Sequence, residues 1–220
     1  MSRRIVVGDI HGCADELSLL MGRVGLSPED TVIAVGDAFD RGPKPSEVYT
    51  FFSQRPRSLI VLGNHERKHI RGLLSPAQEA TRASLGASYP AFVGWLSGLS
   101  YFYEDEQLIV VHAALEPGRT LGSQRPEVLS GTMSGERYLR SRLEGRPWYE
   151  LYEGPKPVVF GHKVVGARPL IRNRLAYGID TGACHGGWLT AVTVPDFEVH
   201  AVKARVNYWS RLKEKSRRCP

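Results

Sequence analysis

Gly36-Asp37-Ala38-Phe39-Asp40-Arg41-Gly42 follows the unbroken apolar run Thr31 to Val35. A short run of this kind, rich in β-branched residues, reads as a buried strand. The heptapeptide therefore sets two carboxylates and a guanidinium just past a strand's carboxyl end, where open α/β architectures gather ligands. Its glycines allow tight turns and close backbone approach. Alone, the stretch is equally well a polar turn with a surface Asp–Arg pair. The pattern recurs, however. Ile5-Val6-Val7 runs into Gly8-Asp9-Ile10-His11-Gly12, and Leu59-Ile60-Val61-Leu62 into Gly63-Asn64-His65-Glu66. Leu108-Ile109-Val110-Val111 runs into His112, and Val158-Val159-Phe160 into Gly161-His162. Five strand ends thus deliver Asp9, His11, Asp37, Asn64, His112 and His162. Carboxylate, amide oxygen and imidazole are the donors that hard and borderline metals take. The spacing predicts a metal cluster assembled at the ends of parallel strands.

GDIHG, GDAFDRG and GNHE, in that order, resemble the motifs of the phosphoprotein-phosphatase family of binuclear metallophosphoesterases. His112 and His162 extend the resemblance. So does Gly178-Ile179-Asp180-Thr181-Gly182 with Gly186-Gly187-Trp188-Leu189-Thr190, which is similar to the tail of bacterial members. The resemblance spans roughly residues 4 to 204. It implies the calcineurin-like fold, a two-sheet β-sandwich flanked by helices within the α/β class. One departure is that Ala113-Ala114 follows His112 where many relatives place Gly.

Composition sets the outer limits. The 220 residues suit one domain, and 42% hydrophobic with 24% charged residues is ordinary for a globular chain. No apolar run reaches membrane-spanning length. Met1-Ser2-Arg3-Arg4 leads straight into a strand, so no export signal is expected. Cys13, Cys184 and Cys219 are an odd number without CxxC spacing, which suits a reducing cytoplasm. Of the formal charge of +6, the segment from Arg211 to Arg218 holds five basic residues and one acid. The expected division is a catalytic domain over 1–206 and a basic, solvated tail over 207–220.

Residues 4 to 66 read as strand–motif–helix units, the mark of a parallel sheet. Leu17, Leu20, Met21 and Val24 share one helix face, with Asp15 and Glu16 at its dipole-positive start. Ser46 is expected to cap a helix carrying Val48, Phe51 and Phe52. Residues 67–104 read as helical, with Trp95, Leu96 and Leu99 in the core and His69 on the surface. Residues 118–150 show no clear periodicity. Strands resume at 158–160, 176–179, 189–194 and 199–204. Asp180-Thr181-Gly182 reads as a turn near the site, and Cys184-His185 lacks partners at ligand spacing.

By the resemblance, Asp9, His11 and Asp37 hold one ion, and Asp37, Asn64, His112 and His162 the other. Asp37 is the natural bridge, because a carboxylate reaches two ions. The donors admit Mn, Fe or Zn, and the family precedent leans to Mn. His65, beside ligand Asn64, is the candidate general acid, with Asp40 to hold its imidazole protonated and aimed. Arg41 can grip phosphoryl oxygens bidentately. Of Arg137, Arg140, Arg142 and Arg146, Arg146 before Trp148 looks most like the family's second phosphate arginine. Three functions compete. One is a phosphomonoesterase on phosphoserine or phosphothreonine proteins, to which the reading leans. The second is a hydrolase of dinucleoside polyphosphates or nucleic-acid end phosphates, with the basic tail as a contact for nucleic acid. A non-catalytic metal-binding scaffold ranks last, because every candidate catalytic residue is present.

Overall fold

A computed structural model describes residues 3–218, with side chains through residue 214. The Cys219 thiol and the Lys215, Arg217 and Arg218 side chains, counted above, lie outside the described residues. Along the chain run β1 (Arg4–Val7), α1 (Ala14–Arg23), β2 (Thr31–Ala34), α2 (Pro45–Gln54), β3 (Ser58–Ile60), α3 (Asn64–Ile70), α4 (Pro76–Leu85) and α5 (Tyr89–Ser97). There follow β4 (Phe102–Glu104), β5 (Ile109–Val111), α6 (Pro126–Leu129), α7 (Met133–Arg142), β6 (Val158–Phe160), β7 (Leu170–Arg172), β8 (Ala176–Gly178), β9 (Trp188–Val194), β10 (Glu198–Lys203) and α8 (Tyr208–Arg218). One sheet has the order β10-β9-β1-β2-β3, the other β4-β5-β6-β8-β7. The motif-bearing strands are parallel within each sheet: β1, β2 and β3 in the first, β5 and β6 in the second.

Side chains alternate across a strand, so a strand buried on both faces reads as continuously apolar. Ile5 and Val7 face α1 and α2, whereas Val6 faces the other sheet. Val32 and Ala34 split from Ile33 and Val35 in the same way. In the second sheet, Ile109 and Val111 pack toward α6 and α7, and Val110 faces inward. The inter-sheet core is Val6, Ile33, Val35, Val61, Leu108, Val110, Val159, Tyr177, Ile179, Val192 and Val194. The result is the expected sandwich, layered helix, sheet, sheet, helix. Each fully buried Val or Ile contributes about 1.5–3 kcal/mol, and a one-residue slip would exchange the two faces.

Leu17, Leu20, Met21 and Val24 are buried as expected. Ser46 does not cap α2. Its hydroxyl donates to the Ser84 carbonyl at 3.1 Å, and Pro45 at the first helical position fixes the start instead. Edge strands β4 and β7 escape the sequence because each is three residues long and largely uncovered. The aperiodic stretch holds α6 and α7. Thr132 caps α7 by accepting from the Gly135 amide at 3.2 Å, but only Gly135 and Leu139 of that helix are buried. The expected solvated tail begins as helix α8, which packs on the turn Ala183–His185.

Candidate metal centre

The carboxyl ends of β1, β2, β3, β5 and β6 meet on one side of the sandwich. His11, Asp37, Arg41 and His162 there have φ of 48°, 48°, 77° and 76°, left-handed values that cost a side-chain-bearing residue about 1–3 kcal/mol. Cross-loop bonds impose them. The His11 amide donates to the Asp37 carbonyl at 2.9 Å, and the Gly12 amide to the Ala38 carbonyl at 2.8 Å. Glu66, 1% exposed, accepts from the amides of Asp37, Ala38 and Gly63 at 2.9, 2.9 and 3.0 Å. It ties the loop after β2 to the start of α3. Burial, with Asp37 adding, pushes the Glu66 carboxyl up to about 7. A Cβ at Gly63 would overlap Asp37 Oδ1, and one at Gly161 would overlap Asp9 Oδ1. Glycine lets the carboxylates approach that closely.

Asp37 faces two groups of side chains. Its Oδ2 lies 3.8 Å from His11 Nε2 and 3.8 Å from His65 Nε2, and its Oδ1 lies 3.4 Å from His112 Nε2. His11, Asp37 and His65 offer donor atoms within 4.8 Å of one another, as do Asp37, His112 and His162. Burial would raise the Asp37 carboxyl, but the imidazoles of His112, His65 and His11 outweigh it and hold it well below the usual range. Asp9 is buried and accepts from the His162 amide at 3.1 Å. Burial and the Asp180 and Asp37 carboxylates push its own carboxyl up.

The donor set fits divalent cations by a test of lone pairs. Burial holds His112 down at about 4, so it is neutral at pH 7. Its Nδ1 donates to the Val35 carbonyl at 2.9 Å, which leaves the Nε2 lone pair free. His162 Nε2 donates to Glu136 Oε1 at 2.5 Å, which leaves its Nδ1 lone pair free. His112 Nε2 then lies 3.2 Å from His162 Nδ1 and 3.2 Å from Asn64 Oδ1. His112 Nε2, His162 Nδ1 and Asn64 Oδ1 thus converge while the far nitrogens of both rings are bonded elsewhere, an arrangement that a cation satisfies. Backbone carbonyl and carboxylate partners on the far ring nitrogens are what metal-bound histidines use.

His65 Nδ1 meets Asp40 Oδ2 at 2.7 Å. Burial pulls the imidazole down, but Asp37 and Asp40 more than offset this, and His65 stands above the ordinary histidine value. Asp40 is fully buried and accepts also from His69 Nε2 at 3.0 Å, Thr81 Oγ1 at 2.6 Å and the Gln78 amide. His69 is therefore not a surface residue: it is 2% exposed, bridges Asp40 to the Tyr89 hydroxyl, and packs on Phe92. The covering residues come from α4 and α5, which the local pattern around His69 does not reveal. Arg41 donates to His11 Nε2 at 3.0 Å. Arg146 is exposed and lines a cleft of about 700 Å³ that opens from His162, together with Arg137, Arg140 and Lys163.

Sequence reasoning missed the roles of Glu66, His69, Gln78, Thr81 and Glu136. Glu66 and His69 stood in or beside GNHE, spaced i, i+3 on one helix. Gln78, Thr81 and Glu136 carried no local signal, because only tertiary packing brings α4 and α7 to the site. Asp180 lies near Asp9 and accepts from the Gly182 amide at 3.0 Å, the turn expected there.

The comparisons agree with this geometry. The description of calcineurin-like phosphoesterases matches residues 2–200. The asymmetrical bis(5'-nucleosyl)-tetraphosphatase PrpE of Bacillus velezensis is 32% identical over 95% of this chain and 96% of its own. Its namesake in Halalkalibacterium halodurans is 31% identical over 91% and 93%. A solved structure assigned as a diadenosine tetraphosphatase aligns with TM-score 0.77 at 27% identity, covering 92% of this chain and 94% of that one. With sandwich, ligand-bearing strand ends and family description coinciding along one chain, the protein belongs to the calcineurin-like phosphoesterases, metal-dependent hydrolases of phosphoesters.

Proposed function

We propose that the chain hydrolyses dinucleoside tetraphosphates off-centre, into a nucleoside monophosphate and a nucleoside triphosphate. The observation that carries this reading is the cleft opening from His162. Its wall combines Arg137, Arg140, Arg146 and Lys163 with the half-buried ring of Tyr149, cations for a phosphate chain beside an aromatic face for a base. The relatives named as asymmetrical tetraphosphatases support it. A phosphoserine peptide needs neither feature.

Asp9, His11 and Asp37 would hold one divalent ion and Asp37, Asn64, His112 and His162 the second, with Mn first and Fe or Zn as alternatives. Such a pair supplies an activated water and neutralises phosphoryl charge. Glu66 and Glu136 brace the ligands. Arg41 and Arg146 grip phosphoryl oxygens on either side of the reacting atom. Protonated His65, aimed by Asp40, gives its Nε2 proton to the leaving oxygen. The buried free thiols Cys13 and Cys184 suit the cytoplasm, and no described helix is long and apolar enough to cross a membrane. Residues 1–206 carry every metal ligand and every catalytic group of this reading.

The Ser/Thr phosphomonoesterase to which the sequence leans stays as second reading, favoured by one observation. His65 is held toward its protonated form, and an alkoxide leaving group depends on that proton more than a phosphate does. The test is a panel with Mn supplied: diadenosine tetraphosphate, a phosphoserine peptide and a 5'-phosphorylated oligonucleotide. The proposal predicts ATP and AMP as products and the highest kcat/KM on the dinucleotide. A peptide hydrolysed more efficiently would replace it with the second reading.

A further inference from the structure

We propose that the first turns of α8 are a wall of the substrate site, in which Trp209 holds Arg41 and Arg211 binds a phosphate beyond the one being attacked. The inference rests on Arg41 gripping phosphate, as proposed above.

Helix α8 is anchored, not trailing. The Tyr208 hydroxyl donates to Glu16 Oε1 at 2.7 Å, inside the fold, where Glu16 is fully buried. Asn207 Oδ1 accepts from the Ser210 amide at 2.9 Å, closing the first turn. This places the Trp209 ring 5.8 Å from the Arg41 guanidinium carbon, cation–π range. Lys213 Nζ lies 4.6 Å from the same ring. Arg41 makes no ion pair with a carboxylate among the described residues. Its neighbours include the Trp209 ring, the Cys184 thiol and His11 Nε2, the last a lone pair that a bound ion would take over. Trp209 can steady the guanidinium without consuming its donors, which a carboxylate would do.

A second cleft, of about 560 Å³, lies between α8 and the loop after β2. Arg41, Thr81, Tyr208, Arg211, Leu212 and Glu214 are among its lining residues. Thr81 is the residue that donates to Asp40, so the cleft abuts the His65–Asp40 pair. A phosphate chain leaving the reacting centre past Arg41 runs along α8 and meets Arg211. A substrate with a single phosphate does not reach it. The chemical class is a linear polyphosphate, free or esterified.

The test uses competitive inhibition of nitrophenyl phosphate hydrolysis by inorganic tripolyphosphate and by orthophosphate, at fixed free Mn, in the full chain. It does not depend on which substrate is physiological. Arg211→Ala should weaken tripolyphosphate about tenfold, the worth of one charge-assisted contact, and leave orthophosphate within about twofold. Trp209→Ala should weaken both inhibitors about threefold to fivefold, with Trp209→Phe restoring most of the loss, since a phenyl face still serves a cation. Unchanged tripolyphosphate inhibition in Arg211→Ala, or an equal loss for both ions, overturns the role of Arg211. Trp209→Phe as impaired as Trp209→Ala overturns the role of the ring. Arg41→Ala separates the underlying reading: if it leaves orthophosphate inhibition intact, Arg41 is not a phosphate ligand, whatever the α8 variants do.

Discussion

Asp40→Asn keeps the shape of the side chain and removes its charge. Two donors reach Oδ2, His65 Nδ1 at 2.7 Å and the Gln78 amide, and two reach Oδ1, His69 Nε2 at 3.0 Å and Thr81 Oγ1 at 2.6 Å. An amide offers one oxygen, so either orientation sets its NH2 against two donors. The cheaper one keeps the oxygen toward His65 and Gln78. Thr81 can then rotate its hydroxyl, and His69 can change tautomer against Tyr89. What remains is the loss of charge assistance in a buried network, about 2–3 kcal/mol. The pH dependence has a definite sign. Burial would raise the Asp40 carboxyl, but the His65 and His69 bonds outweigh it and hold it far below the usual range. A depressed carboxyl stabilises the fold fully above its unfolded pKa of about 3.9 and loses that stabilisation as pH falls. The urea stability gap between wild type and Asp40→Asn in chelator should therefore be full at neutral pH and close in acid. In the holoenzyme, removing the charge lowers the His65 pKa. The alkaline limb of kcat/KM on an alkyl phosphate should then move to lower pH. Nitrophenyl phosphate, whose leaving group needs little protonation, should lose at least about tenfold less rate than the alkyl ester, and His65→Asn should show the same ordering more strongly. An unmoved alkaline limb, or equal losses on the two esters, refutes the assignment of His65 as acid and Asp40 as its holder.

Three further substitutions probe the supports. Glu136→Ala frees the His162 ring and should weaken metal binding about 10–100-fold in a Mn titration, whereas wild-type affinity would mean that the ring is held otherwise. Among the described residues, Tyr208→Phe leaves Glu16 Oε1 with the Arg205 amide at 3.2 Å as its one partner, beside an Oε2 that already has none. Urea unfolding should show a loss of about 1–3 kcal/mol, and no loss would detach α8 from the fold. Gly161→Ala pushes a Cβ into Asp9 Oδ1 and the Val35 side chain, so stability should fall by about 1–3 kcal/mol, together with metal content.

Much of the site is legible in the sequence because strand periodicity and ligand position are local. The runs at Ile5–Val7, Thr31–Val35 and Leu108–Val111 are apolar on both faces since each strand is sandwiched, and the ligand follows at the strand's end. His65 and Asp40 are legible only together with a family resemblance, since nothing local places residue 40 against residue 65. His69 was misread for a physical reason. Helix α3 is seven residues long, too short for a burial face to emerge, and α4 and α5 cover it from outside its window. Arg211 was read as part of a solvated charge run. What makes it part of a cleft is the bond from Tyr208 to Glu16 across 192 positions of sequence.

The proposal that Asp37 would serve two metal sites is tested most directly by elemental analysis of active protein. Wild type should carry about two divalent ions per chain, lose activity in chelator and recover it with Mn. Asp37→Asn, whose side chain can no longer offer a carboxylate oxygen to each group of ligands, should lose metal and fail on alkyl and nitrophenyl phosphates alike. Fully active wild type with fewer than about one ion per chain, or Asp37→Asn retaining both ions, would contradict the account.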